Sequence, residues 1–255
     1  MEKKLYDLMD WAGIEELVYS EASDPGRLLG AHPTEDGLLI QAYIPNAKTV
    51  TVRLGKEEIP MEMADEGGFF AALLEGRTEP VKYRLHVVYE DEDTEEVEDP
   101  YSGRFSSLFK EEELKKFEAG IYYNSYEKLG AHPAVIDGVH GVHFAVWAPG
   151  AMRVSVVGDF NFWDGRRHQM RKVGEGDASV FELFIPGLKP GLLYKYEIKN
   201  RAAQPMLKAD PYASYAELRP NTASVIWDLS KYKWNDKEWM DKRKTEKKDR
   251  VPMNI

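Results

Sequence analysis

The 255-residue sequence predicts an all-β protein, two tandem immunoglobulin-like β-sandwiches with short helical lead-ins, and three observations carry that expectation. The text repeats itself at long range. Leu29-Gly30-Ala31-His32-Pro33 returns as Leu129-Gly130-Ala131-His132-Pro133, and Asp99-Pro100-Tyr101 returns as Asp210-Pro211-Tyr212. An interval of 100 residues or more is too long for a solenoid, whose units run to roughly 20–50 residues, so each copy is a domain. Within each copy, apolar residues alternate with period two, as half-buried strands require. Proline, glycine and asparagine interrupt these stretches at short spacing, the pattern of a sandwich rather than of a parallel α/β sheet.

Taken in order, Leu5, Leu8, Met9, Ala12, Leu17 and Val18 recur at roughly helical spacing and open the chain with one or two short helices. The Leu-Gly-Ala-His-Pro turn follows. Leu38, Ile40, Ala42 and Ile44 then form one row of a strand and Leu39, Gln41 and Tyr43 the other, before Pro45-Asn46-Ala47 breaks it. The first copy extends over residues 1–107 and contains Glu90–Asp99, eight acids in ten residues, which reads as a solvated hairpin tip. With no ring to stack on a ligand, this copy is expected to be a spacer or docking domain.

The second copy, residues 108–230, repeats the plan. Leu108, Phe109, Leu114, Phe117 and Ile121 form its helical lead-in. Val142, Phe144 and Val146 oppose His143, Ala145 and Trp147 on a strand that stops at Ala148-Pro149-Gly150. Further short strands are expected at Arg153–Val157, Val180–Ile185 and Leu192–Ile198. Residues 231–255 form a linker or exposed helix that ends on Val251–Ile255, the start of an apolar, extended run, which suggests a truncated protein.

Composition narrows the function. A net charge of −10 argues against nucleic-acid and anionic-membrane partners, and no apolar run approaches a membrane span. The absence of cysteine removes disulfides and thiolate metal sites, and fits a reducing cytoplasm. No cofactor fingerprint is present, neither a phosphate-cradling loop nor a dinucleotide motif. Asp159 and Asp164 could form a carboxylate pair, but loop carboxylates beside Asn and Gly are mostly turn formers. His140 and His143 lie on one strand at a spacing that turns them to opposite faces, so no metal is expected there. His32 and His132, each before a proline, read as a shared turn contact. No credible active site emerges, and catalytic residues are expected to be absent from this chain.

Binding reads better, because the two copies differ where binding residues could sit. The offset is 104 between Val52 and Val156 and 111 between Leu85 and Tyr196, and the interval holds Gly158–Gly165, with Asn161 and Trp163. The Trp163 indole could stack on the apolar face of a pyranose, and Asn161 could bond sugar hydroxyls. Lys195 lies on a strand opposite the row of Tyr194, Tyr196 and Ile198, so its ammonium is directed to the outer surface. Alternatively Trp163 covers a sheet edge or an adjoining domain and Lys195 is simply solvated. The residues leave both readings open.

The motifs Leu129–Pro133, Phe144–Pro149, Gly158–Arg167, Phe181–Gly187, Leu193–Glu197 and Lys208–Ala213, continued by Arg219–Ser224, closely resemble the bacterial glycogen branching enzymes over essentially the whole chain. The second copy resembles a family 48 carbohydrate-binding module. The resemblance implies a parent enzyme that transfers α-1,4-glucan segments into α-1,6 branches of glycogen, using carboxylates of a barrel whose motifs do not occur here. Pro252–Ile255 resembles the start of that barrel's first strand. It implies α-glucan, as glycogen or maltooligosaccharides, and the chain's own barrel as partners, with Trp163 and Lys195 matching glycan-binding positions. A second Trp often found after that Lys is missing from Lys199–Lys208, and Gln169 replaces a more usual proline. Two alternatives remain: modules that pack on the barrel and set chain length without touching sugar, or the same region of another α-amylase-superfamily enzyme.

Overall fold

The computed structural model describes residues 3–105, 107–174, 179–201 and 204–245, so the expected strand start at 251–255 lies outside the described residues. The first module opens with α1 (Lys3–Asp7) and α2 (Trp11–Val18), the latter capped by Asp10, whose carboxylate accepts from the Gly13 N–H at 3.1 Å. Eight strands follow: β1 (Gly30–Thr34), β2 (Gly37–Tyr43), β3 (Ala47–Leu54), β4 (Glu57–Pro60), β5 (Glu62–Asp65), β6 (Phe69–Glu75), β7 (Arg84–Tyr89) and β8 (Thr94–Val97). They pair antiparallel into two sheets, β1-β2-β6-β5 and β4-β3-β7-β8.

The two-row pattern of β2 explains the layering. Leu38, Ile40 and Ala42 meet Val50, Val52, Leu85 and Val87 of the facing sheet. The other row, Leu39, Gln41 and Tyr43, is buried too, with Gln41 donating to the Leu28 carbonyl at 2.8 Å, so the outer face also has a cover. Leu5, Met9, Ile14 and Leu17 of the helical lead-in supply it over Leu39, Tyr43, Phe69 and Ala71. Each large aliphatic side chain buried this way contributes roughly 1.5–3 kcal/mol.

The second module repeats the plan. Its lead-in is α3 (Glu111–Glu118), which is followed by β9 (Gly130–Ile136), β10 (Val139–Trp147), β11 (Arg153–Gly158), β12 (Arg171–Val173), β13 (Val180–Pro186), β14 (Leu193–Lys199), β15 (Met206–Lys208), β16 (Tyr215–Ala216) and β17 (Ser224–Val225). The sheets are β12-β13-β10-β9 and β11-β14-β17-β16, with β15 added on β14. Val142, Phe144 and Val146 fill the space against Val154, Val156, Tyr194 and Tyr196. Ala145 faces outward beneath Phe109, Leu129 and Val180, with Leu114 and Phe117 packed on that cluster. The charged stretch after the second module carries α4 (Lys237–Thr245), which buries no residue. No described helix is long and apolar enough to cross a membrane.

The repeated motifs turn out to touch each other. In the first module Tyr83 donates its hydroxyl to Asp99, whose other oxygen accepts from the Tyr101 N–H at 2.9 Å. In the second, the Tyr194 hydroxyl donates to Asp210 at 2.6 Å, and the Tyr212 N–H at 2.8 Å completes the pair. Gly30 at φ +99° and Gly130 at φ +106° lie against the Tyr101 and Tyr212 carbonyls, an approach for which glycine is suited. His32 and His132 each bond the carbonyl of the leucine three residues earlier, at 3.0 and 2.9 Å, the shared turn contact expected of them. Burial pushes the Asp99 carboxyl up to about 6, and Asp210 is raised for the same reason.

Candidate functional site

The inserted segment is the tip of a hairpin. In the first module β3 turns back through Gly55 and Lys56 into β4. In the second, residues 168–170 return along β11, with the Val156 N–H donating to the His168 carbonyl at 3.0 Å and the Met170 N–H to the Val154 carbonyl at 2.8 Å. Met61 makes the equivalent bond to Val50 at 2.9 Å, so the offset at the two methionines is 109. Five of the seven extra residues therefore lengthen the tip, and two fall between Met170 and Phe181.

A tip this long must be held by side chains. Asn161 is fully buried: its Oδ1 accepts from the Gly158 N–H at 2.9 Å, and its Nδ2 donates to the Val156 carbonyl at 2.8 Å and to His168 Nδ1 at 2.9 Å. Its expected bonds to sugar hydroxyls are thereby corrected: the amide is committed inside the loop and braces it. The loop lies over the outer face of β11 and β14. There the buried Arg153 donates to the Gly165 carbonyl at 2.7 Å and pairs with Glu197. A Cβ on Gly165 would sit 2.1 Å from the Glu197 carboxylate, so the backbone rests directly on the sheet. Asp164 and Arg166 form a two-pronged pair at 2.7–3.1 Å; burial works upward on Asp164, and Arg166 nonetheless holds its carboxyl below the usual range. Desolvation, with Arg167 adjacent, pushes His168 down to about 4, so the ring is neutral and can accept from Asn161 at ordinary pH.

This bracing holds two consecutive bulky residues in the left-handed region, Phe162 at φ +57° and Trp163 at φ +59°. Such a conformation costs on the order of 1–2 kcal/mol per residue and persists only where neighbours enforce it. Trp163 is half-buried, with Nε1 donating to Asp159 at 2.8 Å, while Phe162 is 78% exposed. Lys195 pairs in register with Val157 on β11, one position before Gly158, and its Nζ donates to Thr222 Oγ1 at 2.7 Å. Trp163 is anchored to Gly158 by its own N–H at 3.0 Å. The backbone of Trp163 is thus tied to Gly158 at the end of β11, Lys195 lies on the neighbouring strand with its ammonium on Thr222, and Asn161 is removed from the surface.

The same loop meets the first module, which sequence reasoning missed. The Arg167 guanidinium lies 5.1 Å over the Tyr89 ring and 5.3 Å over Phe162, and donates to the Pro45 carbonyl at 3.2 Å. Gln169 accepts from Tyr101 through its backbone carbonyl at 2.7 Å and donates to Leu17 through its side chain at 3.3 Å. Where the family resemblance sets a proline, this chain uses an amide to join its two halves. The acidic hairpin also has a ring after all: Tyr89, the residue before the acid run, bonds Glu95 at 2.9 Å. No group of residues able to hold a metal ion occurs among the described residues.

Residues 10–101 match the family described as the N-terminal domain of the alpha-1,4-glucan branching enzyme GlgB, and residues 128–213 match carbohydrate-binding module 48, also described as the isoamylase N-terminal domain. The chain belongs to the amino-terminal region of the GlgB branching-enzyme family. Among similar proteins, the 1,4-alpha-glucan branching enzyme GlgB of Rubrobacter xylanophilus is 44% identical over 245 residues, covering 95% of this chain and 33% of that one. The GlgB of Gloeobacter violaceus is 45% identical over 245 residues, again 95% of this chain and 33% of its own length. The chain thus spans about a third of the curated relatives it matches. A pullulanase type I from Bacillus subtilis complexed with maltose aligns at 17% identity and a TM-score of 0.35, covering 81% of this chain and 28% of that one, too distant a likeness to bear on the site.

Proposed function

We propose that this chain is the glucan-positioning amino-terminal region of a cytoplasmic 1,4-α-glucan branching enzyme, and that its second module binds linear α-glucan weakly through Trp163 and Lys195. The support for this reading is that the backbone of Trp163 is tied to the end of β11 while Lys195 stands on the paired strand β14. Asn161 braces the loop, the indole Nε1 donates to Asp159 at 2.8 Å, and the Lys195 ammonium is held by Thr222. Stacking on the apolar face of a glucose unit and donation to its hydroxyls need no more than these two groups. One ring contributes on the order of 1–2 kcal/mol. Without a second tryptophan in the described part of 199–208, dissociation near 1 mM is expected, equivalent to about −4 kcal/mol.

Titration of the chain with maltoheptaose, followed by amide NMR, tests this. Shifts should cluster around Trp163, Lys195 and Thr222, and Trp163→Ala should weaken them about tenfold. Binding indifferent to that substitution would leave the competing reading, a purely structural docking role, for which the Arg167 and Gln169 bonds to the first module speak. Branch formation belongs to parts of the relatives outside this chain. Amylose incubated with the chain should therefore acquire no α-1,6 linkages above blank.

A further inference from the structure

Between the modules, the acidic hairpin joining β7 and β8 faces the Phe160–Arg167 segment across an open cleft of about 530 Å³. That volume falls within the range of roughly 300–1,000 Å³ that suits small organic ligands. Each side offers a carbon face, the exposed Phe162 ring from the second module and the Tyr89 ring from the first, with the Arg167 guanidinium between them. The first-module wall also carries Asn46, Asp91, Asp93 and Thr94. Ionised carboxylates only accept hydrogen bonds, so this wall calls for a ligand rich in donors. A sugar chain offers both what the rings need and what the acids need, an apolar CH face and a rim of hydroxyl donors. A small cation would satisfy the acids, but it would meet the Arg167 guanidinium in the middle of the cleft.

We propose that this cleft is a second α-glucan subsite, built jointly by the two modules and centred on Phe162 and Tyr89. It rests on the α-glucan reading of the second module, and it gives the first module a direct share in sugar binding, contrary to the spacer role expected from its acidic tip. The lengthened hairpin tip would then serve the neighbouring module as well, through Phe162 beside Arg167 and Tyr89.

The test is a maltoheptaose titration of the nitrogen-15-labelled whole chain, comparing wild type with Phe162→Gly, which removes the ring and suits the positive φ. Amides of Asn46, Asp91 and Thr94 should shift together with Phe162, and the shifts should persist from about 50 to about 500 mM salt, because the ligand is neutral. Phe162→Gly should weaken these shifts about five- to tenfold and leave those at Lys195 and Thr222 in place. Shifts at Lys195 and Thr222 with Asn46 and Thr94 unmoved would overturn the cleft and keep the Trp163 surface. Movement in the cleft alone would keep the cleft and overturn the Trp163 surface, and silence at both would overturn both. Cleft shifts that salt abolishes would also overturn the proposal, since binding of a neutral sugar to rings and hydrogen-bond acceptors does not depend on charge screening.

Discussion

The first module closes its β3–β4 hairpin with two residues, Gly55 and Lys56, and the second closes the matching hairpin with residues 159–165. The short tip is held by the strand ladder itself, with Gly55 at φ +64° making the turn. The long tip outruns its ladder and is held by polar side chains instead: Asn161 from within, Arg153 and Glu197 from the sheet below, and its own Arg167 and Gln169 reaching across to the first module. An insertion thus becomes a rigid platform only when the fold commits otherwise exposed polar groups to it. The same commitment explains how two bulky residues remain in a strained conformation, one of them almost bare to solvent.

The sharpest way to break this contrast is to remove Arg153. Arg153→Met should destabilise the second module by about 3–5 kcal/mol, the usual loss when one member of a buried ion pair is deleted, whereas Lys56→Ala in the short tip should stay within about 0.5 kcal/mol. Urea unfolding of the two variants measures this; equal effects would mean that the long tip is no more dependent on side chains than the short one. A next comparison uses the matched glycines. A Cβ on Gly30 would lie 1.9 Å from the Tyr101 carbonyl oxygen, against 3.1 Å for Gly130 and Tyr212. Gly30→Ala should therefore cost about 3 kcal/mol, combining backbone strain and overpacking, and Gly130→Ala about 1–2 kcal/mol. Thermal unfolding that ranked them in reverse would contradict the tighter closure of the first module.

The smallest effect is a pH dependence of opposite sign at two places. Asp99 has its carboxyl raised to about 6, so the folded state holds the proton more tightly than the unfolded chain. Its contribution is full below the unfolded value near 4 and is lost as pH rises through about 6. His168 is lowered to about 4, so the neutral ring's contribution is full above about 6.5 and is lost as pH falls toward about 4. Between about pH 7 and about pH 5 each changes local stability by on the order of 1–2 kcal/mol, the closure around Asp99 strengthening while the loop around His168 weakens. Amide exchange at Tyr101 and at Gly158 should diverge accordingly; parallel behaviour would show that neither group controls its surroundings.

Much of the fold is legible in the sequence because strands announce themselves by alternation. The rows of Leu38, Ile40 and Ala42, and of Val142, Phe144 and Val146, are in their expected places. The helical lead-in was legible too, since the residues preceding β2 keep helical spacing, and Leu39 and Tyr43 on its second row give it apolar surface to cover. The site was harder. Asn161 reads as a surface group because its neighbours are polar, yet its role depends on the Val156 carbonyl and the His168 ring, brought close only by the hairpin's return. Tyr89 is hidden by the acids that follow it, and its meeting with Arg167 joins residues 78 apart in the chain. Nothing local signals such a contact. The repeat of Leu-Gly-Ala-His-Pro and of Asp-Pro-Tyr does carry a signal of the contact between them, since two motifs duplicated together are good candidates to touch.

That contact also bears on how such a chain could arise. Where Gly30 rests on Tyr101, and Gly130 on Tyr212, the first strand of a sandwich meets the segment by which the chain departs. A unit whose entrance and exit coincide behaves as a cassette. It can be copied in tandem or spliced into a host polypeptide while leaving the host's own ends where they were. The seams of such a duplication would fall just outside the paired motifs, and later insertions would accumulate at hairpin tips, far from the joint.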